Sequence, residues 1–256
     1  MYQIIQYFKF LISSTNKHGV HSPFVYDLTT KCLNTNFRFT QYRIIKSYRK
    51  ALIKIKTIII INDLGSGSKF STSNNRSVRS IAKTAGSTIK KAKLLYRISN
   101  YFKGDDYLEL GTSLGIGTFA LSQGNPKANI VSVEGDINIH KIAKQQLKTF
   151  KVDNVKLVNS DFSSFIKTAA NKKLDLVFID GHHTKAATIS YFQDLLKYTH
   201  NDSVFIIDDI YWSKEMTEAW NDIKLHPACT VTIDTFYLGL VFFRKEQVKQ
   251  HFKIRV

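Results

Sequence analysis

"YLELGTSLGIGTFAL", residues 107 to 121, decides the fold. Tyr107 to Leu110 read as the end of a strand, glycines follow at 111, 115 and 117, and "TFALSQ" is compatible with a helix. A strand that delivers glycines to a helix start is how open α/β sheets cradle a nucleotide-like cofactor: the glycines let the backbone turn and approach the ligand closely. Such a cradle also needs an acidic residue at the tip of the next strand to hold a ribose, and Glu134 closes "IVSVEG" 23 residues after Gly111. A rival stretch, "IIIINDLGSGSK" at 58 to 69, also leads a β-branched run into glycines. Gly65 and Gly67 are followed by "SKFSTSNNRS", too polar for a packed helix, and no acid-tipped strand comes after. That stretch reads as a loop with a structural turn.

Outward from the cradle, strand-like and helix-like segments alternate, which predicts a parallel sheet with helices on both faces. The strands are "DYLELG", "ANIVSVEG", "VKLVNS", "LDLVFIDG" and "SVFIIDD". Between the second and third, "INIHKIAKQQLKTF" puts Ile139, Ile142, Ala143, Leu147 and Phe150 on one helical face. "TISYFQDLLKY" and "KEMTEAWNDIKLH" serve likewise after the fourth and fifth strands. "CTVTIDTFYLGLVFFRK" holds two strand-like runs with almost nothing between them, the pattern of an antiparallel hairpin. The expected fold class is α/β, a Rossmann-like sheet of seven strands: five parallel ones plus the hairpin.

The 256 residues are enough for one α/β domain with an appendage. The charge is lopsided. Residues 1–103 hold 19 Lys and Arg against Asp27 and Asp63, and residues 104–256 hold 18 of each sign, so the first part carries the whole net +17. The expected organisation is therefore a basic, mainly helical N-terminal cover over 1–103, typified by "IAKTAGSTIKKAKLLYRISNYF", and a cofactor-binding domain over 104–256. A basic face predicts an acidic partner: a phosphorylated small molecule, RNA or an anionic membrane surface. The competing reading is Lys-rich surface composition. No run reaches the ~18 apolar residues of a membrane span, no secretory signal pattern is present, and Cys32 and Cys229 sit in no metal or redox spacing. A cytoplasmic location is expected.

"LELGTSLGIGT" with "VSVEGD", "LVNSDF", "DLVFIDGHH" and "VFIIDDIYW" resembles the class I S-adenosylmethionine-dependent methyltransferases. Among these it is most similar to the cation-dependent O-methyltransferases of catechols and sugars. The resemblance covers residues 104 to 245. It implies that Glu109 and the turn of Gly111, Thr112, Ser113 and Gly115 hold the methionine part of the donor, that Glu134 and Gly135 take the ribose, and that Ser160 with Asp161 take the adenine edge. It also implies a divalent cation, magnesium first, at Asp180, Asp208 and Asp209. Oxygen-only ligands suit such an ion, which lowers the pKa of a bound hydroxyl.

The chain departs from the catechol enzymes in having Asp208-Asp209 where they show Asp-Asn, and His183 where they show Lys. The Asp-Asp pair is closer to the sugar enzymes. His183 is the candidate general base, with Asp180 beside it, because an imidazole titrates near neutrality; His182 competes for the role. Asp180 has a second reading as a ligand of the donor's amino group alone, and Asp208 or Asp209 as a helix cap. His18 and His21 have ligand-like spacing without further ligands nearby. Phe24, Tyr26, Tyr211 and Trp212 are open between an acceptor pocket and the core. The expected reaction is O-methylation of a small hydroxylated molecule. RNA O-methylation, a non-catalytic RNA or membrane-surface protein on the same fold, and an oligomeric state all stay open.

Overall fold

A computed structural model describes residues 1–61, 74–84, 86–168 and 172–256. Gly65, Gly67 and the rest of "DLGSGSK" lie outside the described residues. The chain forms two compact units, one of Asn36–Thr168 and one of Met1–Thr35 with Ala169–Val256. The charge boundary at 103/104 falls inside the first of these.

The first 35 residues carry α1 (Tyr2–Ser13) and α2 (Pro23–Leu28). Ser22 starts α2 by accepting a hydrogen bond from Val25 N at 3.4 Å, and Pro23 at the first position has no N–H to leave unpaired.

The unit Asn36–Thr168 holds α3 (Gln41–Lys54), β1 (Ile58–Ile60), β2 (Asn75–Ser77), α4 (Val78–Thr84), α5 (Ile89–Phe102), β3 (Asp106–Leu110), α6 (Ile116–Gly124), β4 (Asn129–Glu134), α7 (Ile137–Thr149), β5 (Val155–Asn159) and α8 (Phe162–Thr168). β3 and β4 pair in parallel, as do β4 and β5, with Leu108 opposite Val131 and Glu134 opposite Asn159. β1 and β2 form a short antiparallel pair, Ile58 opposite Ser77. The helical stretch from Ile81 to Phe102 is divided between α4 and α5. Thr88 Oγ1 accepts from Lys91 N at 3.2 Å and so begins α5 afresh. α7 also differs from its expected face. It buries His140, Ala143, Gln146 and Leu147, while Ile139, Ile142 and Phe150 are half-buried. Gln146 can be buried because its Nε2 donates to Tyr48 O at 3.4 Å.

The other unit continues with β6 (Leu176–Ile179), α9 (Lys185–Leu195), β7 (Val204–Asp208), α10 (Lys214–Leu225), β8 (Val231–Asp234), β9 (Leu238–Phe242) and β10 (Gln250–Lys253). β6 and β7 are parallel, both fully buried, in keeping with their unbroken apolar runs. β8 and β9 form the expected antiparallel hairpin, and β9 pairs with β7. β10 is an addition, parallel to β8. Its sequence, QHFK, is too polar to read as a buried strand but fits an edge, where His251 Nδ1 meets Thr232 Oγ1 at 2.6 Å. The N-terminal segment is tied to this edge: Thr15 N donates to Lys253 O at 2.9 Å, and Arg255 N donates to Thr15 O at 3.1 Å.

Five strands each followed by a helix, then an antiparallel hairpin, give the α/β, Rossmann-like class that the sequence predicts.

Candidate active site

The cradle lies wholly within Asn36–Thr168. β3 ends at Leu110, and Gly111 turns the chain at φ 106 while its N–H donates to Val133 O at 2.9 Å. Thr112 N reaches the same carbonyl at 3.2 Å, and Ser113 takes φ 48, an uncommon conformation for a residue with a side chain. Gly115 follows at φ 77, where a Cβ would stand 2.7 Å from Tyr48 Oη. Only glycine meets both conditions. Glu134 ties the second strand to this turn. Its Oε2 accepts from Ser113 N at 2.8 Å and its Oε1 from Asp136 N at 2.9 Å. A carboxylate has about four acceptor positions, so these bonds do not exhaust it. Gly135 O accepts from Asn159 Nδ2 at 3.1 Å, fixing the turn after β4. Asp136 then caps α7, accepting from Asn138 N and Ile139 N at 2.8 Å each.

Glu109 sits beneath the turn, fully buried. Its Oε2 accepts from Ser132 Oγ at 2.5 Å and from Thr118 Oγ1. Its Oε1 is buried with no hydrogen-bond partner. Burial pushes this carboxyl up to about 7, against the two hydroxyl bonds that favour its charge, with Glu134's charge adding to the rise. Burial raises Glu134 as well, opposed by its backbone donors. Burial thus disfavours the charge of both acids around a backbone cradle, a setting that a cationic ligand would relieve.

Asp161 Oδ1 accepts from Ser164 N at 2.8 Å, a bond that lowers its pKa and starts α8. Ser160 N donates to Glu134 O at 3.2 Å, and Ser160 Oγ donates to Asp161 O at 3.0 Å. Both residues therefore lie on the loop after β5, next to the tip of β4.

The remaining candidates belong to the other unit. Asp180 follows β6, and its Oδ1 is 3.7 Å from His183 Nε2. His182 and His183 both have positive φ, 60° and 44°, and His183 N donates to Gly181 O at 2.8 Å. His182 is drawn aside by Tyr191, whose hydroxyl is 3.1 Å from its Nδ1. His183 keeps Trp212 as a ring neighbour at 6.1 Å. Asp208 ends β7 in the core, and Asp209 starts the next turn at φ 51 with its N–H on Tyr237 O at 2.8 Å.

Among the described residues, no group of three or more His, Cys, Asp or Glu side chains is placed to hold a metal ion. Asp180, Asp208 and Asp209 are thus not gathered as the expected ligand set. Asp208 ends β7, and Asp209 follows outside the strand at φ 51. The same limit applies to His18 and His21. Tyr211 belongs to the core: its ring stacks on Phe236 at 5.1 Å and its hydroxyl donates to buried Asp234 at 2.5 Å. Phe24 packs edge-on against Phe242 at 5.1 Å, and Tyr26 is exposed.

Three contributors were not legible in the sequence. Thr118 and Ser132 hold Glu109, and Tyr48 of α3 braces the glycine turn. Tyr48 is fully buried, its hydroxyl donates to Leu114 O at 3.0 Å, and its ring stacks on Phe119 with centroids 4.4 Å apart. The periodicity of α3, which buries Ile45, Tyr48 and Leu52, marks Tyr48 as core without naming its partner.

Residues 108–210 match the family described as "Methyltransferase domain". No curated protein matches the chain. Solved structures share the fold at low identity. The Streptomyces achromogenes O-methyltransferase TomG, solved with S-adenosylmethionine, is 17% identical with a TM-score of 0.54 over 62% of this chain and 81% of its own. A Podospora anserina methyltransferase bound to S-adenosylhomocysteine is 14% identical, with a TM-score of 0.58 over 83% and 100%. A Bacillus cereus O-methyltransferase bound to the same product is 14% identical, with a TM-score of 0.53 over 81% and 92%. Residues 108–210 thus match a methyltransferase domain, and the chain shares its fold with methyltransferases solved with S-adenosylmethionine or S-adenosylhomocysteine.

Proposed function

We propose that the chain transfers the methyl group of S-adenosylmethionine to a hydroxyl of a small, anionic acceptor. The observation that carries the donor half is the bond from Ser113 N to Glu134 Oε2, which fastens the acidic strand tip to the glycine turn. The residues fit the donor: the partnerless Oε1 of Glu109 is a place for a cationic group, and the positive-φ glycines open the backbone to close approach. Glu109 with the turn from Gly111 to Gly115 would hold the methionine part, Glu134 the ribose hydroxyls, and Ser160 and Asp161 the adenine edge. Bound there, the donor supplies a sulfonium methyl for in-line displacement, so positioning is the protein's main task.

The acceptor hydroxyl must lose a proton, and His183 is the base we assign. Asp180 at 3.7 Å stabilises the imidazolium that forms. His182 meets Tyr191 through its Nδ1, and the assignment to His183 rests on its Asp180 neighbour. The net +17 of residues 1–103 supports an anionic acceptor, and the reading of that segment as a basic cover is part of this proposal. So are a cytoplasmic location and a divalent cation at Asp180, Asp208 and Asp209. These carboxylates have the right chemistry for such an ion. They are not gathered as placed, so no step is routed through it.

The test is methyl incorporation from labelled donor across catechols, sugars, their phosphorylated forms and RNA. The proposal expects O-methylated products from small anionic hydroxyl compounds. Products methylated only on nitrogen or carbon, or only in RNA, would overturn it.

A further inference from the structure

The helix α1 wears an apolar face outward. Phe10 is its buried residue, and Tyr7 and Phe10 lie on Phe236 with ring centroids 4.9 and 5.6 Å away. On the other side Ile4 is 63% exposed, Phe8 61% and Ile12 87%, with Met1 and Ile5 beside them. At ~100° per residue these five fall within an arc of about 100°. Gln3 and Gln6 are on the inner, half-buried side. The helix is thus apolar on both sides, unlike an ordinary surface helix, whose solvent face is polar.

The surroundings are cationic. Lys9 borders the arc, Lys17 follows the helix, and the first acid in the chain is Asp27. Lys253 of β10 brings its ammonium to Ser13 Oγ at 3.1 Å, and Arg255 is joined to Thr15 through its backbone. An exposed apolar arc rimmed by Lys and Arg is the make-up of a helix that lies in a membrane interface. With twelve residues α1 is too short to span a bilayer, which takes ~20. Charge decides between a bilayer and a second copy of this chain. A copy would bring the same cations and a net +17 of its own, whereas an anionic lipid surface neutralises them.

We infer that α1 docks the protein on an anionic membrane surface, its Ile4–Phe8–Ile12 face entering the headgroup boundary with Lys9, Lys17, Lys253 and Arg255 on the lipid phosphates. The test is co-sedimentation of the full chain with phosphatidylcholine vesicles, with and without phosphatidylserine at roughly one lipid in three. Binding should need the anionic lipid, weaken as salt rises, and fall by about tenfold or more in Phe8→Glu/Ile12→Glu. Both positions are exposed; should the double variant melt early, Lys9→Glu, expected to weaken binding several-fold, takes its place. Protein that stays in the supernatant with both vesicle types overturns the inference. So does binding that neither variant changes, or a self-association in ultracentrifugation that Phe8→Glu/Ile12→Glu abolishes, which would make the face a contact between copies.

Discussion

Replacing Gly115 by Ala should damage the cradle by an amount that can be worked from two separate costs. The residue has φ 77, and a residue with a side chain pays ~1–2 kcal/mol in that region. The new Cβ would also stand 2.7 Å from Tyr48 Oη, closer than such atoms approach. Tyr48 cannot yield cheaply, because it is fully buried, bonded to Leu114 O and stacked on Phe119. Overpacking of this kind adds ~1–3 kcal/mol. Gly115→Ala should therefore cost about 2–5 kcal/mol in urea denaturation and lower affinity for S-adenosylhomocysteine. Tyr48→Phe, which gives up one buried hydrogen bond, should cost ~1–2 kcal/mol. Combining them removes the atom that the Cβ strikes, so the double variant should fall short of the sum by ~1–3 kcal/mol. Strict additivity, or a Gly115→Ala variant as stable as wild type, would refute the bracing of the turn by Tyr48.

Glu109 predicts a pH dependence. Its carboxyl is raised to about 7 in the folded chain, above the ~4.5 of an unfolded one, so below pH ~4.5 both states are protonated and nothing is lost. As pH rises to about 7 the unfolded state ionises first, and stability should fall by roughly 3 kcal/mol and then level off. Denaturation of Glu109→Gln should lack that fall; an unchanged profile would argue against the assignment. His183→Ala should lower kcat ~10²–10⁴-fold with donor affinity intact, and Asp180→Asn less so; equal activity in His183→Ala and wild type would remove His183 as the base. Excess chelator should reduce turnover if a cation completes the carboxylate site, and Asp209→Asn should weaken magnesium binding by calorimetry. Full turnover in chelator would confine Asp180, Asp208 and Asp209 to structural or donor-binding roles.

The cradle was legible because its requirements are local: a strand, glycines at 111 and 115, and an acid at 134 are one spacing pattern, and backbone bonds such as Gly111 N to Val133 O realise it. The hairpin was legible for the same reason. What the sequence could not give is partnership at long range. Tyr48 meets Leu114 across 66 positions, and nothing in the periodicity of α3 names that carbonyl. β10 was invisible because an edge strand need not be apolar. The carboxylates show the opposite failure. A resemblance supplies residue types, while the left-handed step at Asp209, which decides where the side chain goes, is a property of the folded backbone.

Calorimetric titration of S-adenosylhomocysteine into the wild-type chain and into Glu134→Ala tests the central claim most directly. Binding is predicted for the wild type and should be abolished in Glu134→Ala, since no other acid closes the strand beside the glycine turn. Equal binding by both proteins would contradict it, as would a wild-type chain that binds neither this product nor S-adenosylmethionine.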